Sequence, residues 1–181
     1  FVAPDGDPLF VQPAVVNILS PRTTYSYETS RNGNIVASGS FQTPAATGQA
    51  FDFSFVAAGC SMTGSKNEIF SHIQSHSPLF MTHLGDFHYK DIETKDFPLR
   101  VKTVDTVMGS QNQRSLWSNT PLAYSWDDHD WLGNNSDENE KEEGARDTAL
   151  RSYQWLFPHY PLPTLDQSTL PVESLESVQP V

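Results

Sequence analysis

The sequence has little cysteine and little positive charge, and both shortages narrow its possible roles. The single cysteine, Cys60, cannot form an intrachain disulfide, so cysteine pairing does not indicate a redox compartment. Lysine and arginine number 11 against 22 aspartates and glutamates, which gives a formal net charge of −11. Because affinity for nucleic acid is built largely from clustered basic side chains, we do not expect nucleic acid as a partner. The surplus of carboxylates indicates either a cation-binding protein or a solvated acidic surface.

Long apolar runs are also missing. No segment approaches the roughly 18 apolar residues that a transmembrane helix needs, so no membrane-spanning segment is expected, and no charged-then-apolar signal segment opens the chain. Hydrophobic residues nevertheless make up 37% of the sequence and aromatic residues 12%, which indicates a packed core. At 181 residues, the chain has room for one ordinary domain, or for a small domain and part of a larger one.

Short β-prone runs separated by turn residues occupy the first part of the chain. The runs cover residues 14–19, 24–29 and 38–43, and Asn32-Gly33 is a strong hairpin signal between the last two. Three strands are too few for a free-standing sandwich, so we expect the tail of a small antiparallel β-sandwich domain over residues 1–47. Residues 44–50 have the composition of a linker, and we place a second domain at 48–181.

The second segment predicts alternating strands and helices. Apolar runs at 51–58, 79–84 and 121–126 read as strands, and each is followed by polar residues. Helices are predicted from Ser65, with a capping box formed with Glu68, and over 97–109 and 142–157. This alternation is typical of α/β layer structures, whose polar sites gather beyond the carboxyl ends of the strands.

Three potential metal ligands follow the first two of these strands. The Cys60 thiolate could bind a metal, whereas the alternatives are a small buried hydrophobic residue or, ranked lowest, a nucleophile. The two carboxylate oxygens of Asp86 could bridge two metals, although Gly-Asp is also a common turn pair. Tyr89 is either a phenolate ligand for a ferric-type ion or a half-buried core tyrosine. His83 and His88 are expected to be ordinary polar or core histidines.

The strongest local signal is an acidic turn after the third strand. Three carboxylates surround one histidine there, and they repel one another unless a cation lies among them or water surrounds them all. Neighbouring tryptophans weaken the second alternative, an acidic surface turn. Hydrolysis of a phosphate ester is helped by two cations, whose ligands must converge from several strand ends. The candidates that this segment supplies are Asp127, Asp128, His129, Asn134 and Asn135.

The order of these motifs over residues 51–181 resembles that of the PhoD-like alkaline phosphatases and phosphodiesterases. The motifs are Ala-Gly-Cys, then Gly-Asp-Phe-His-Tyr, then Trp-Asp-Asp-His-Asp with a following Asn-Asn. Upstream, residues 17–27 and Phe41-Gln42-Thr43-Pro44 look like the tail of the fibronectin-type β-sandwich that precedes the catalytic domain in that family. The resemblance implies an α/β (α+β) metallophosphatase fold, a layered β-sandwich of two packed sheets flanked by helices.

The resemblance also implies roles for individual residues. Cys60 and Tyr89 would bind iron, and Asp86 would be shared between metals. Asp128, together with Asn134 or Asn135, would serve a calcium side. Asp127 is a candidate ligand from its position after the strand. His129, acting beside Asp128, would contact the phosphate or assist the leaving group. The implied reaction is hydrolysis of phosphate monoesters or diesters by a hydroxide that the metals activate.

In that family, further strands and a late motif with Asp and His complete the metal site, and they would follow Val181. We therefore expect this chain to be a fragment that lacks the second half of the site. The alternative function is a non-catalytic calcium-binding or adhesion module, indicated by the β-sandwich tail and the acidic run at 137–143. The resemblance further implies a phosphoester substrate and a secreted or periplasmic protein, and we expect a monomer.

Overall fold

The structure, a computed structural model, describes residues 14–137 and 142–157, which form a mixed α/β fold with two small sheets and five helices. The strands are β1 Thr24–Arg31, β2 Asn34–Gln42, β3 Phe55–Ala58, β4 Phe80–His83 and β5 Leu122–Tyr124. The helices are α1 Ile69–Ser75, α2 Phe97–Gly109, α3 Gln111–Asn119, α4 Asp128–Trp131 and α5 Ala145–Leu156. No helix among the described residues has the length and apolar character needed to cross a membrane.

The larger sheet has three parallel strands in the order β3-β4-β5. Helix α1 connects β3 to β4, and α2 and α3 connect β4 to β5, as parallel strands require a crossover. The three carboxyl ends therefore lie at one edge of the sheet, where the chain continues into the loops of Cys60, Asp86 and Asp127. The predicted α/β alternation is confirmed, and with it the placement of the polar motifs at a single edge.

The smaller sheet is the antiparallel hairpin of β1 and β2, with the predicted turn at Asn32-Gly33. The predicted strand at 14–19 is wrong, because residues 14–20 form no strand. Ile18 has a φ of 62°, which breaks an extended run, and the side chain is fully exposed. The hairpin packs against α3, where the Tyr27 hydroxyl donates to the Ser118 carbonyl at 3.1 Å. The assignment of this segment to a separate domain ending at residue 47 stays a prediction.

The helices follow their local sequence signals to different degrees. Helix α2 has both predicted ends: the Asp96 side chain caps it by accepting from the Leu99 N–H at 2.8 Å. The predicted capping box at Ser65 is wrong, since α1 begins at Ile69, whose N–H is bound by the Asn67 side chain at 2.9 Å. Helix α5 begins three residues later and ends one residue earlier than the predicted 142–157. The Pro-rich stretch from residue 158 lies outside the described residues.

Helix α3 was not predicted. Its sequence is mostly polar, and the buried residues that attach it to the core include Leu116 and the uncharged polar Gln113. The interior packs as three clusters, of which one holds Phe87, Tyr124 and Tyr153 beneath the loops that follow β4 and β5. Phe87 is fully buried and directly follows Asp86, so it anchors the backbone of that loop on the core. The core thereby fixes the base of the candidate site.

Candidate metal centre

The loops after β3 and β4 are joined by backbone hydrogen bonds. The Cys60 N–H donates to the Gly85 carbonyl and the Ser61 N–H donates to the Asp86 carbonyl, each at 3.0 Å. Cys60 is exposed, so the alternative of a small buried hydrophobic residue is wrong. Asp86 is only 6% exposed, and both Cys60 and Asp86 have positive φ angles, of 59° and 54°. The two candidate ligands thus lie side by side on backbones held in an unusual conformation.

A first ligand group is centred on one oxygen of Asp86. The Cys60 thiol contacts Asp86 Oδ2 at 3.4 Å, and the Tyr89 hydroxyl donates to the same oxygen at 2.8 Å. The Tyr89 backbone N–H donates to Thr63 Oγ1 at 2.8 Å, which ties this loop to the one after β3. Hydrogen bonding with Cys60, partial burial and the neighbouring Asp86 raise the pKa of Tyr89. Sulfur, phenol and carboxylate donors therefore meet at one point.

A second ligand group contains Asp86 again, now with Asp128 and His129. Each of these three side chains offers a ligand atom, and these atoms lie within 4.8 Å of one another. The Asp128 carboxylate is held by two backbone donors, the His129 N–H at 2.8 Å to Oδ1 and the Asn135 N–H to Oδ2. Asp128 lies at the start of α4, where the helix dipole favours a carboxylate. Asp86 is thus common to both groups.

The residues present fit a cation. Asp86 Oδ1 is buried and has no hydrogen-bond partner among the described residues. Leaving a buried acceptor without a hydrogen bond costs about 1–3 kcal/mol, and more if the group is charged. A bound cation would remove that cost. Thiolate, phenolate, carboxylate and imidazole are all metal ligands, with the softer sulfur donor on one side and mostly oxygen donors on the other. The described residues therefore fit a metal ion.

His129 is held by a carboxylate that is not a member of either group. Its Nδ1 is paired with Asp91 Oδ1, and its ring lies 4.2 Å, centroid to centroid, from that of Tyr89. Burial lowers the pKa of His129, but the hydrogen bond to Asp91 and the charges of Asp91, Asp86 and Asp128 together raise it above 6.5. The pairing also fixes the imidazole so that Nε2 is the nitrogen left for other partners.

The remaining predicted ligands occupy supporting positions. Asp127 is exposed and caps α4, where Oδ1 accepts from the Asp128 N–H at 2.9 Å. Asn134 donates its backbone N–H to Asp91 Oδ1 at 3.1 Å, and Asn135 donates its own to Asp128. The structure thus brings together Cys60, Asp86, Tyr89, Asp128 and His129, with Asp127 outside both groups. Metal ligation by any of the predicted residues, Asp127, Asn134 and Asn135 included, stays a prediction.

His83 and His88 are core residues, as predicted. His83 is fully buried among aromatic rings, and His88 is 4% exposed. Burial lowers the pKa of each to about 4, so both are neutral at pH 7. Neither belongs to the two ligand groups.

Three residues that support the site were missed from the sequence. Asp91 carries no recognisable motif, and its pairing with His129 spans 38 positions. Arg100 is 2% exposed within α2, where it shares the inward face with Thr103 and Val107. Asp130 lies in the acidic turn and was not singled out. Its spacing of three residues from Asp127 is a capping-box pattern that could have identified it.

The structure is a mixed α/β fold with a group of candidate metal ligands, Asp86, Asp128 and His129, at the carboxyl edge of its parallel sheet. The chain is similar to a solved structure described as "Structure of PhoD", with a TM-score of 0.68 and 18% sequence identity. The match covers 85% of this chain and 34% of the PhoD chain, so this chain spans about a third of that protein. No family model and no curated protein matches the sequence. The likeness confirms the expected fold.

Proposed function

We propose that this chain forms one side of a metal-dependent phosphoesterase site, which hydrolyses phosphate monoesters or diesters. The observation that carries the proposal is the shared position of Asp86, which belongs both to the group with Cys60 and Tyr89 and to the group with Asp128 and His129. A carboxylate between two sets of donors is what a pair of neighbouring cations requires. The likeness to PhoD supports the proposal through the fold.

The donor types suggest a division of metals. Cys60, Tyr89 and one oxygen of Asp86 would hold iron, because thiolate and phenolate suit a transition metal better than a hard cation. Asp128, with Asp86 and an oxygen from Asn134 or Asn135, would hold calcium, which prefers oxygen ligands. When bound, the two cations would supply an activated nucleophile and neutralise charge on the phosphoryl group.

Asp91, Asp128 and His129 would orient the substrate, and His129 would donate one proton. Asp91 holds Nδ1 of His129, which leaves Nε2 available for a phosphate or leaving-group oxygen. Because its pKa is raised, His129 is more often protonated near neutral pH than a free histidine, which suits a proton donor. Asp128, fixed by two backbone N–H groups, would keep its oxygens directed at the cation and stabilise the charged imidazolium.

The wider setting of this activity follows the same resemblance. We propose an exported protein, secreted or periplasmic, that acts as a monomer with a domain boundary near residue 47. Cell fractionation and light scattering on the purified protein would test location and oligomeric state. A cytosolic location or a stable dimer would contradict these two points without touching the chemistry of the site.

Metal-dependent turnover of aryl phosphates tests the proposed activity. In the full-length protein, Asp86→Ala and Asp128→Ala should each lower kcat/KM for an aryl phosphate by on the order of 100-fold or more, since a catalytic cation contributes several kcal/mol. Asp105→Ala, which removes an exposed carboxylate from α2, is the matched control and should keep the activity. Unchanged turnover in both site variants would contradict the proposal. An aryl phosphodiester measured in parallel separates the two substrate classes.

The metal content of a Cys60→Ala variant distinguishes the alternative function, a calcium-binding or adhesion module, from the proposed enzyme. The acidic run at 137–143 that suggested it lies partly outside the described residues. In a module that binds only calcium, Cys60→Ala should leave metal content as it was. In the proposed enzyme, the same change should lower iron content while calcium remains.

A further inference from the structure

One half-buried carboxylate links the loop after β4 to the turn after β5. Asp130 Oδ1 accepts the Phe87 N–H at 2.7 Å and the His88 N–H at 3.2 Å, directly after Asp86 in the chain. Its other oxygen, Oδ2, accepts the Asp127 N–H at 3.2 Å, directly before Asp128. The two loops that carry the shared ligand and the acidic ligand are thus hydrogen-bonded to the same side chain.

A buried guanidinium holds the same region from the opposite side. Arg100 projects from α2 and is 2% exposed. It donates to the Asp130 carbonyl at 3.2 Å and to the Trp131 carbonyl at 2.9 Å, which are at the end of the four-residue helix α4. It also donates to the Ile92 carbonyl at 2.7 Å, next to Asp91. Since the last carbonyls of a helix lack partners within it, Arg100 supplies them from the core.

These contacts are not explained by stability alone. Partly burying a carboxylate and fully burying a guanidinium both cost free energy, and apolar residues of similar size often serve a core as well. Burial raises the pKa of Asp130 to about 6, against the hydrogen bonds that lower it, which reflects that cost. What an apolar residue could not do is accept N–H groups from two loops at once. The arrangement therefore points to a requirement for fixed spacing between the loops.

We propose that Asp130 and Arg100 are positioning residues, which set the distance between Asp86 and Asp128 and so the affinity of the site for cations. The inference rests on the proposed function for the assignment of Asp86 and Asp128 as ligands. The hydrogen bonds that fix the two loops do not depend on that assignment. The positioning role of Asp130 and Arg100 and the ligand role of Asp86 and Asp128 can therefore be disproved separately. Neither residue needs to touch the cation or the substrate.

Calcium titration and amide hydrogen exchange on the full chain test the proposal together. Asp130→Asn should weaken calcium binding by about 10- to 100-fold, as loss of an outer-shell partner does at other metal sites. The same variant should speed exchange of the Phe87, His88 and Asp127 amides without calcium. Leu156→Ala, in the same part of the core, is the stability control. It should lower Tm but leave calcium affinity and those three amides unchanged.

The outcomes are distinguishable. Wild-type affinity and unchanged exchange in Asp130→Asn would overturn the inference, as would an equal loss of affinity in Leu156→Ala. If the wild-type chain binds no calcium, the calcium side of the proposed function fails, and amide exchange alone decides on positioning. If Asp130→Asn does not fold, Arg100→Lys takes its place, because a lysine keeps the charge but not the planar fork that reaches three carbonyls. The Arg100→Lys variant should fold and show the same loss of calcium affinity.

Discussion

Residues in and beside the candidate metal centre hold their backbones in a conformation that most side chains avoid. Cys60, Asp86, Asp91 and Asn135 all have φ between 47° and 59°. Aspartate and asparagine tolerate the left-handed region, but a cysteine there costs roughly 1–2 kcal/mol. Such strain gathers at functional sites, where the surrounding structure holds it in place. The backbone conformation of Cys60 is therefore a second indication, independent of its thiol, that this loop serves a purpose other than stability.

Cys60 provides a direct test of this strain. Cys60→Gly should be more stable than Cys60→Ala by about 1 kcal/mol, because only glycine adopts a positive φ without a steric penalty. Both variants lose the thiol, so the comparison isolates the backbone. Urea unfolding in the presence of a chelator measures the difference. An alanine variant at least as stable as the glycine variant would show that the loop is unstrained.

His83 should make the fold sensitive to acid. Burial lowers its folded pKa to about 4, so between pH 6.5 and 4 the unfolded chain binds a proton that the folded chain does not. The contribution of His83 to the free energy of unfolding is therefore fully present above pH 6.5 and is lost as the pH falls towards 4. The loss amounts to about 3 kcal/mol, at roughly 1.4 kcal/mol per pKa unit.

His83→Phe suits the aromatic surroundings of this site and removes the titrating group. Unfolding free energies measured from pH 7 to 4 should fall less steeply in the variant than in the parent chain. Parallel slopes in the two proteins would mean that His83 takes up its proton equally in both states.

The sequence groups the candidate ligands at one edge of the sheet but does not reveal the residues that support them. Cys60, Asp86 and Asp128 could be grouped because each follows a strand, and parallel strands bring such positions to one edge. Asp91 and Arg100 could not, because their partners in the acidic turn lie 38 and about 30 positions away and no local pattern marks those contacts. Hydrogen bonds between distant loops depend on the folded chain, and a single sequence does not display them.

At the scale of elements, the strands and helices with strong local signals were predictable and the others were not. Helix α2 combines an N-cap aspartate, a proline in its first turn and an apolar run, and both its ends were predicted. Helix α3 lacks such a pattern and depends on tertiary contacts such as those of Leu116. The apolar run at 14–19 has the composition of a strand but pairs with no strand in the described part of the chain, and composition does not reveal which runs will pair.

The contact between the hairpin and α3 depends on a close approach at Gly39. A side chain there would overlap the Ser118 carbonyl and the Tyr27 hydroxyl. Gly39→Val should therefore displace the hairpin from α3 and lower Tm. Calcium affinity should be unchanged, because the ligand loops follow β3, β4 and β5. Ser38→Val, one residue earlier on the same strand, is the matched control and should have a smaller effect. Loss of calcium binding in Gly39→Val would show that the hairpin and the ligand loops are coupled.

The net charge of the whole molecule affects how the candidate metal centre could accept a phosphate anion. A chain with a net charge of −11 repels phosphate anions, so an acidic site can receive one only if cations offset the carboxylates. The ligand groups at the edge of the sheet provide a place for those cations. The similarity to PhoD covers about a third of that protein and concerns the fold alone, so the chemistry of these groups must be tested on this chain.

Metal analysis of four purified proteins tests whether two metals share Asp86. The parent chain should hold one iron and one calcium. Cys60→Ala should lose iron and keep calcium, and Asp128→Ala should lose calcium and keep iron. Asp86→Ala should lose both, because its carboxylate belongs to both groups. Retention of either metal at the parent level in Asp86→Ala would contradict the shared site.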